Sequence, residues 1–197
     1  MGAEAKEVTE VVAETARLLL REWGEGDGER FYAIMNTPAV MRHLGGVQDR
    51  AKWEAALLRF ETCRREYGHT FWLLERKEDG EILGFCGLKR VNSPGTDLTG
   101  QFEIAWRLRE SAWGQGYAKE AAIASLDLAF GRFGAPHVVA MTIPANQESQ
   151  RLMKRLGMAR REELDFYDPR FGAETNPWIL YSIDAGDWPA SRVAALG

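Results

Sequence analysis

The chain is poor in the residues that build covalent or metal-stapled proteins. Its only cysteines are Cys63 and Cys86, which fit neither a disulfide framework nor a zinc pattern, so reduced structural thiols are expected. Its three histidines, His43, His69 and His137, are scattered without metal-ligand spacing, so packing or surface roles are expected and no metal. No apolar run approaches membrane-spanning length. The opening stretch MGAEAKEVTE is acidic and has no apolar core, which excludes a leader peptide from the reading. A basic excess is missing too. The 25 Lys and Arg stand against 29 Asp and Glu, for a net charge of −4 and a pI near 5.5, which argues against a nucleic-acid partner and is compatible with a cationic substrate. These absences leave a cytoplasmic protein with no membrane contact as the expectation. What is present suits a globular fold: 45% hydrophobic and 27% charged residues in a chain of 197 can bury a core and exclude disorder. No repeat, low-complexity tract or linker divides the chain, so one domain over 1–197 is expected, with its core at about 15–184.

Periodicity divides the chain into elements. Residues 1–13 read as a loose lead-in, and Glu14–Glu22 as a first strand ended by Gly24, Gly26 and Gly28. Asp27 suits a cap for a helix over Glu29–Asn36. Pro38 starts a short segment Ala39–Leu44, closed by Gly45 and Gly46. Asp49–Tyr67 is a longer amphipathic helix with Trp53, Ala56, Leu57 and Phe60 on one side and Gly68 as C-terminal cap. Thr70–Glu75 and Glu81–Arg90 are strands joined by the hairpin signal Asp79-Gly80. His137–Ile143 is a short apolar strand ended by Pro144. Asn146 caps a helix to Leu156, with Gly157 beyond it. Strands over Ala159–Tyr167 and Trp178–Asp184 flank a long loop, Asp168–Pro177. Trp53, Trp72, Trp106 and Trp178 are expected in the core, while Trp23 and Trp188 suit either packing or an interface.

The central stretch is Gln101–Phe130. Phe102, Ile104, Trp106 and Leu108 alternate with Gln101, Glu103, Ala105 and Arg107, a strand pattern. Lys119–Phe130 carries only four polar residues, Lys119, Glu120, Ser125 and Asp127, so a helix there is buried on most of its surface. Between them, Trp113-Gly114-Gln115-Gly116-Tyr117-Ala118 places two glycines at the helix start, where bare N–H groups and the helix dipole suit an anion such as a pyrophosphate. A dinucleotide-binding fingerprint fits less well, because Lys119 stands where a third glycine or alanine belongs.

This order of elements with this turn resembles the GNAT superfamily of N-acetyltransferases. The family's acetyl-CoA motif, Gln/Arg-x-x-Gly-x-Gly/Ala, is matched by Gly116 and Ala118 within the turn, with Gly114 at an unspecified place. Trp113 departs from its first place and is similar to the ribosomal-protein N-acetyltransferase branch. Glu103-Ile-Ala-Trp-Arg-Leu108, Asn146-Gln-Glu-Ser149, Leu156-Gly157-Met158, Arg17-Leu-Leu-Leu-Arg21 and Pro38–Leu44 extend the resemblance over about 15–184. The resemblance implies an α/β (α+β) fold, a mixed and mostly antiparallel sheet with helices on both faces and a splay between strands at about 101–108 and 137–143. It implies acetyl-CoA as cosubstrate. Its pyrophosphate would lie on backbone N–H groups of Gln115 to Lys119, including Tyr117 and Ala118. Its pantetheine arm would lie against main-chain groups of Ala105, Trp106, Arg107 and Leu108 and the side chain of Asn146.

A thioester is already activated, so such an enzyme must hold amine and thioester together and remove a proton from the ammonium. Glu103 is the first candidate for that base, with Glu162, Glu163, Asp165 and Glu174 as alternatives. Ser149 stands near where the branch places a hydroxyl that protonates the leaving thiolate, although a serine there equally suits the helix cap. The branch implies a protein N-terminal amine as acceptor. A polyamine, aminoglycoside or amino-acid amine is the rival, Asp168 and Glu174 being suited to a cation. A sensor that binds acyl-CoA without turnover belongs to a different class, and the pairing of Glu103 with Ser149 favours the enzyme. Homodimers are compatible with the family.

Overall fold

The period-2 runs pair into one sheet. A computed structural model describes residues 9–197. Its strands are β1 (Val11–Glu14), β2 (Leu18–Arg21), β3 (Phe71–Arg76), β4 (Ile82–Arg90), β5 (Phe102–Leu108), β6 (His137–Thr142), β7 (Ala159–Arg160) and β8 (Ile179–Asp184). Their order in the eight-stranded sheet is β1-β2-β3-β4-β5-β6-β8-β7. Every neighbouring pair is antiparallel except β5 and β6, which are parallel. Parallel neighbours need a crossover, and the stretch from Glu110 to Pro136 supplies it.

The helices are α1 (Asp27–Met35), α2 (Pro38–Met41), α3 (Arg50–Tyr67), α4 (Tyr117–Asp127), α5 (Gln147–Arg155) and α6 (Trp188–Leu196). Helices α4, α5 and α6 cover one face of the sheet, burying Ala121, Ala122, Leu126, Met153 and Trp188 against Leu20, Trp72, Leu88 and Ile104. On the other face α1, α2 and α3 bury Phe31, Met35, Met41 and Trp53 against Phe71, Leu73 and Phe85. Each fully buried side chain of this size contributes roughly 1.5–3 kcal/mol of transfer free energy. Ala121 and Ala122 of α4 are wholly buried, which lets the helix lie close on the sheet.

Several expectations need correction. The lead-in expected over 1–13 lies partly outside the described residues, and within them Val11–Glu14 forms the edge strand β1. The run Glu14–Glu22 is therefore two strands. Thr15 breaks it, its Oγ1 accepting from the Leu18 N–H at 2.9 Å and donating to the Leu18 carbonyl at 3.2 Å. Asp27 does not cap α1; the N-cap is Gly26. Its buried carboxylate instead accepts from Arg21 Nη1 at 2.6 Å and from the Gly24 N–H at 2.8 Å, while Arg21 Nε reaches Glu75 at 2.7 Å. The Ala159–Tyr167 strand shrinks to the two residues of β7, a 3-10 turn at Glu162–Leu164 and a single bridge from Phe166 to Trp178. Pairing stops there because the Asp165 side chain, not the backbone, accepts from the Leu180 N–H. The core also runs past 184, since Trp188 of α6 is 4% exposed and bonds Asp127 through Nε1 at 2.9 Å. Trp23 is likewise a packing residue, set edge-on to Phe31 with its Nε1 on the Phe71 carbonyl. Both cysteines are free thiols on separate elements; burial pushes Cys86 up to about 12, so it is unreactive.

Candidate active site

Strand β5 is fully paired on one side only. It meets β4 from Arg90↔Phe102 to Gly84↔Leu108, but it meets β6 only at Phe102↔Val138 and Glu103↔Val139. Strand β6 continues with β8 as far as Thr142↔Ile179. From Ile104 onward the two parallel strands therefore diverge, and a cleft of about 1330 Å³ opens there. An unpaired strand edge inside a cleft is a template for an extended, amide-bearing ligand. Ala105, Trp106, Arg107 and Leu108 line the β5 wall; Met141, Ile143, Asn146 and Ser149 line the opposite wall. Trp106 and Trp178, expected in the core, are partly exposed on the cleft wall.

The glycine turn closes one end. Gly114 and Gly116 have φ of +73° and +83°, a left-handed conformation that glycine alone adopts freely. A Cβ on Gly114 would meet nothing within 4 Å, so conformation rather than space requires glycine there. Gly116 is the N-cap of α4, and no side chain caps the first N–H groups of that helix. Gly114, Gly116, Tyr117, Ala118 and Lys119 line the cleft; Gln115 points elsewhere, its Nε2 on the Ser111 carbonyl and its own carbonyl accepting from Arg17 Nη1 at 2.9 Å. Arg17 also lies 4.3 Å over the Tyr117 ring and pairs with Glu120 at 2.7 Å. Burial acts to raise the Glu120 carboxyl, but hydrogen bonds from Thr15 and Arg17 hold it below the usual range. Arg17 and Glu120 thus brace the turn from β2, a role invisible to local pattern because the two are 103 positions apart. Trp113 braces the other side: its Nε1 donates to the Leu108 carbonyl at 2.7 Å. That bond occupies one of the two lone pairs of the Leu108 carbonyl.

Asn146 and Ser149 stand at the start of α5. Asn146 Oδ1 accepts from the Ser149 N–H at 3.2 Å, an N-cap bond. Its Nδ2 has no partner among the described residues, and Asn146 and Ser149 both line the cleft. Asn146 therefore can cap and donate to a ligand together.

Glu103 sits where β5 and β6 part, 7% exposed, with Lys89 Nζ 2.7 Å from its Oε2. Of the alternative carboxylates, Asp165 pairs with Arg160 and Glu163 with Arg161, and none of Glu162, Glu163, Asp165 and Glu174 forms part of the cleft wall. Asp168 does line it, 1% exposed. Burial acts to raise Asp168, but hydrogen bonds from the Arg170 guanidinium and N–H keep its carboxyl below the ordinary range. Asp168 is thus occupied, and the expectation that it awaits a cation is corrected. The wall as a whole carries ten lysines and arginines against four acids, the reverse of the chain's net charge. His69 is buried, Nδ1 3.0 Å from the Leu88 carbonyl, and His137 Nε2 lies 2.8 Å from Gln101 Oε1. Among the described residues no three His, Cys, Asp or Glu side chains cluster for a metal, and no helix is long and apolar enough to cross a membrane.

Comparison with known proteins gives this geometry its context. A family model described as an acetyltransferase (GNAT) domain matches residues 17–159. The chain is 30% identical over 159 residues to YkkB, an uncharacterised protein of Bacillus subtilis strain 168, covering 80% of this chain and 87% of that one. The crystal structure of an acetyltransferase from Agrobacterium tumefaciens strain C58 superposes with a TM-score of 0.75 at 25% identity, over 92% and 99% of the two chains. RimJ of Mycobacterium smegmatis, in complex with CoA-disulfide, shares the fold with a TM-score of 0.70 at 18% identity, over 96% and 94%. The match spans the splayed strands, the glycine turn and the Asn146 helix alike, and the chain belongs to the GNAT family of acetyl-CoA-dependent N-acetyltransferases.

Proposed function

We propose that this enzyme acetylates a primary amine, foremost a protein N-terminal amine, by direct attack in a ternary complex. The observation that carries the reading is the one-sided pairing of β5 beside an uncapped helix start, both opening on one cleft. Acetyl-CoA fits those features. Its pyrophosphate would take the N–H groups at the start of α4, and its pantetheine amides the free edge at Ala105–Arg107 and Asn146 Nδ2. Bound there, the cosubstrate supplies a thioester that needs no further activation.

The protein's own residues do the remainder. Holding amine and acyl carbon together supplies roughly 7–11 kcal/mol. Glu103 accepts the proton of the incoming ammonium, directly or through water, and a free N–H of β5 faces the oxygen on which charge develops. The Ser149 hydroxyl donates to the departing sulfur. Helices α2 and α3 and the loop Asp168–Pro177 wall the acceptor side. Among small acceptors a polyamine or aminoglycoside has less support than an amino acid, because Asp168 is tied to Arg170 and Glu174 is off the wall. The test is thiol release from acetyl-CoA with a panel of amines, including peptides beginning with Ala, Ser and Met. Release with peptides and not with small amines is expected. CoA binding without release for any amine would instead make the protein a sensor.

A further inference from the structure

We infer that the acceptor carries a carboxylate as well as its amine, and that Arg107 receives that carboxylate. The inference rests on the acetyl-transfer reading. Residues two apart on a strand share a face, so Glu103, Ala105 and Arg107 point together toward the side covered by α1–α3. Contacts bear this out: Arg107 Nη1 is 3.6 Å from Met41 Sδ, and the guanidinium lies 5.3 Å from the Phe85 ring centre. A thioether is a weak acceptor, and Arg107 offers five N–H donors. Among the described residues no carboxylate pairs with it, and burial without a partner pushes its pKa down to about 10, which leaves it charged at neutral pH. Of the neighbouring charges on the same side, Lys89 is matched by Glu103 and Arg170 by Asp168, while Arg59 of α3 also has no carboxylate among the described residues. A half-buried cation without a counterion is costly, so this wall is complete only when an anion enters.

The cofactor's phosphates are not that anion on geometric grounds. The start of α4 belongs to the opposite face of the sheet, where Tyr117 and Ala121 pack with Ile104 and Leu108, whereas Met41 and Phe85 belong to the α1–α3 face. Arg107 lies two strand positions from Ala105 at the apex of the splay, roughly 7 Å. That spacing, with the reach of an arginine, suits an amine and a carboxylate on one small molecule or on the first residues of a peptide. The fork of the guanidinium suits a carboxylate in two-point contact.

The experiment compares matched pairs in the thiol-release assay: free amino acids against their amides, and peptides with Glu or Asp in second place against Gln or Asn. In at least one pair the carboxylate member is expected to have a kcat/KM about tenfold or more higher, the scale of one charge-assisted hydrogen bond. Arg107→Gln should erase that preference by raising KM for the acid member, and Arg107→Lys should restore part of it. A preference in the first pairs assigns a small amino acid, and one in the second a protein N-terminus. Equal rates within every pair would overturn the inference, as would an Arg107→Gln variant that weakens acetyl-CoA and keeps the acid preference. Should Arg107→Gln unfold, the wild-type ratio and the lysine variant still decide. If no amine gives thiol release, the transfer reading fails instead, and calorimetric binding of the same pairs then tests Arg107 alone.

Discussion

Lys89 and Glu103 face each other across β4 and β5, directly in register. Such a pair has a structural use, since opposite charges across antiparallel strands stabilise by about 0.2–1 kcal/mol. A base needs more, namely access to the acceptor, and Glu103 has it because β6 turns away one residue later. Glu103→Gln keeps the shape and removes the proton acceptor. It should lower kcat/KM by roughly 10²–10⁴-fold. Retention of the rate would assign Glu103 to the ion pair alone. The contrast with Asp168 is instructive. Both are buried acids on the cleft wall, yet Asp168 is consumed by the arginine two residues on.

At the scale of elements, the glycine turn is a joint between β5 and α4 that is stabilised from elsewhere. Trp113 pins it to the end of β5, and Arg17 pins it to β2. Gly116→Ala would place a Cβ in a left-handed conformation, costing about 1–2 kcal/mol, with the new methyl 3.4 Å from Arg17 Nη2. The expected result is a raised KM for acetyl-CoA with little change in KM for the amine, together with a lower Tm. An unchanged KM for acetyl-CoA would show that the N–H groups of this turn do not bind it. Helix α5 shows the same economy: one side chain, Asn146, ends the preceding loop, caps the helix and offers an amide to the cleft.

For the whole molecule, the cleft is a consequence of how the sheet is held open. Helix α6 contributes by closing the core behind α4: Trp188 packs on Phe130 and bonds Asp127, which Arg192 also grips at 2.8 Å. Trp188→Ala removes a large buried ring far from the site and should cost about 3–5 kcal/mol in denaturant unfolding. At a temperature where the variant stays folded, its kcat should match the parent. A selective loss of kcat with intact stability would mean that α6 sets the geometry of the splay.

Much of this was legible in the residues, and the reason is locality. Strand alternation in β5, the cap pairs Asp49/Gly68 and Asn146/Gly157, and the glycine turn are each specified within a few positions, so the sequence determined most of the elements and their order, and its resemblance to the GNAT family implied the cofactor class. It failed where a long-range partner overrules the local preference. Asp27 reads as a cap until Arg21 claims it, Ala159–Tyr167 reads as one strand until Asp165 takes the Leu180 N–H, and α6 has too few charged and periodic residues to announce itself. The charge of the site was beyond sequence altogether. A chain of net −4 gave no hint of a basic cleft, because only the folding of β5 against α2 and loop 168–177 decides which acids are cancelled and which cations, Arg107 among them, have no carboxylate partner.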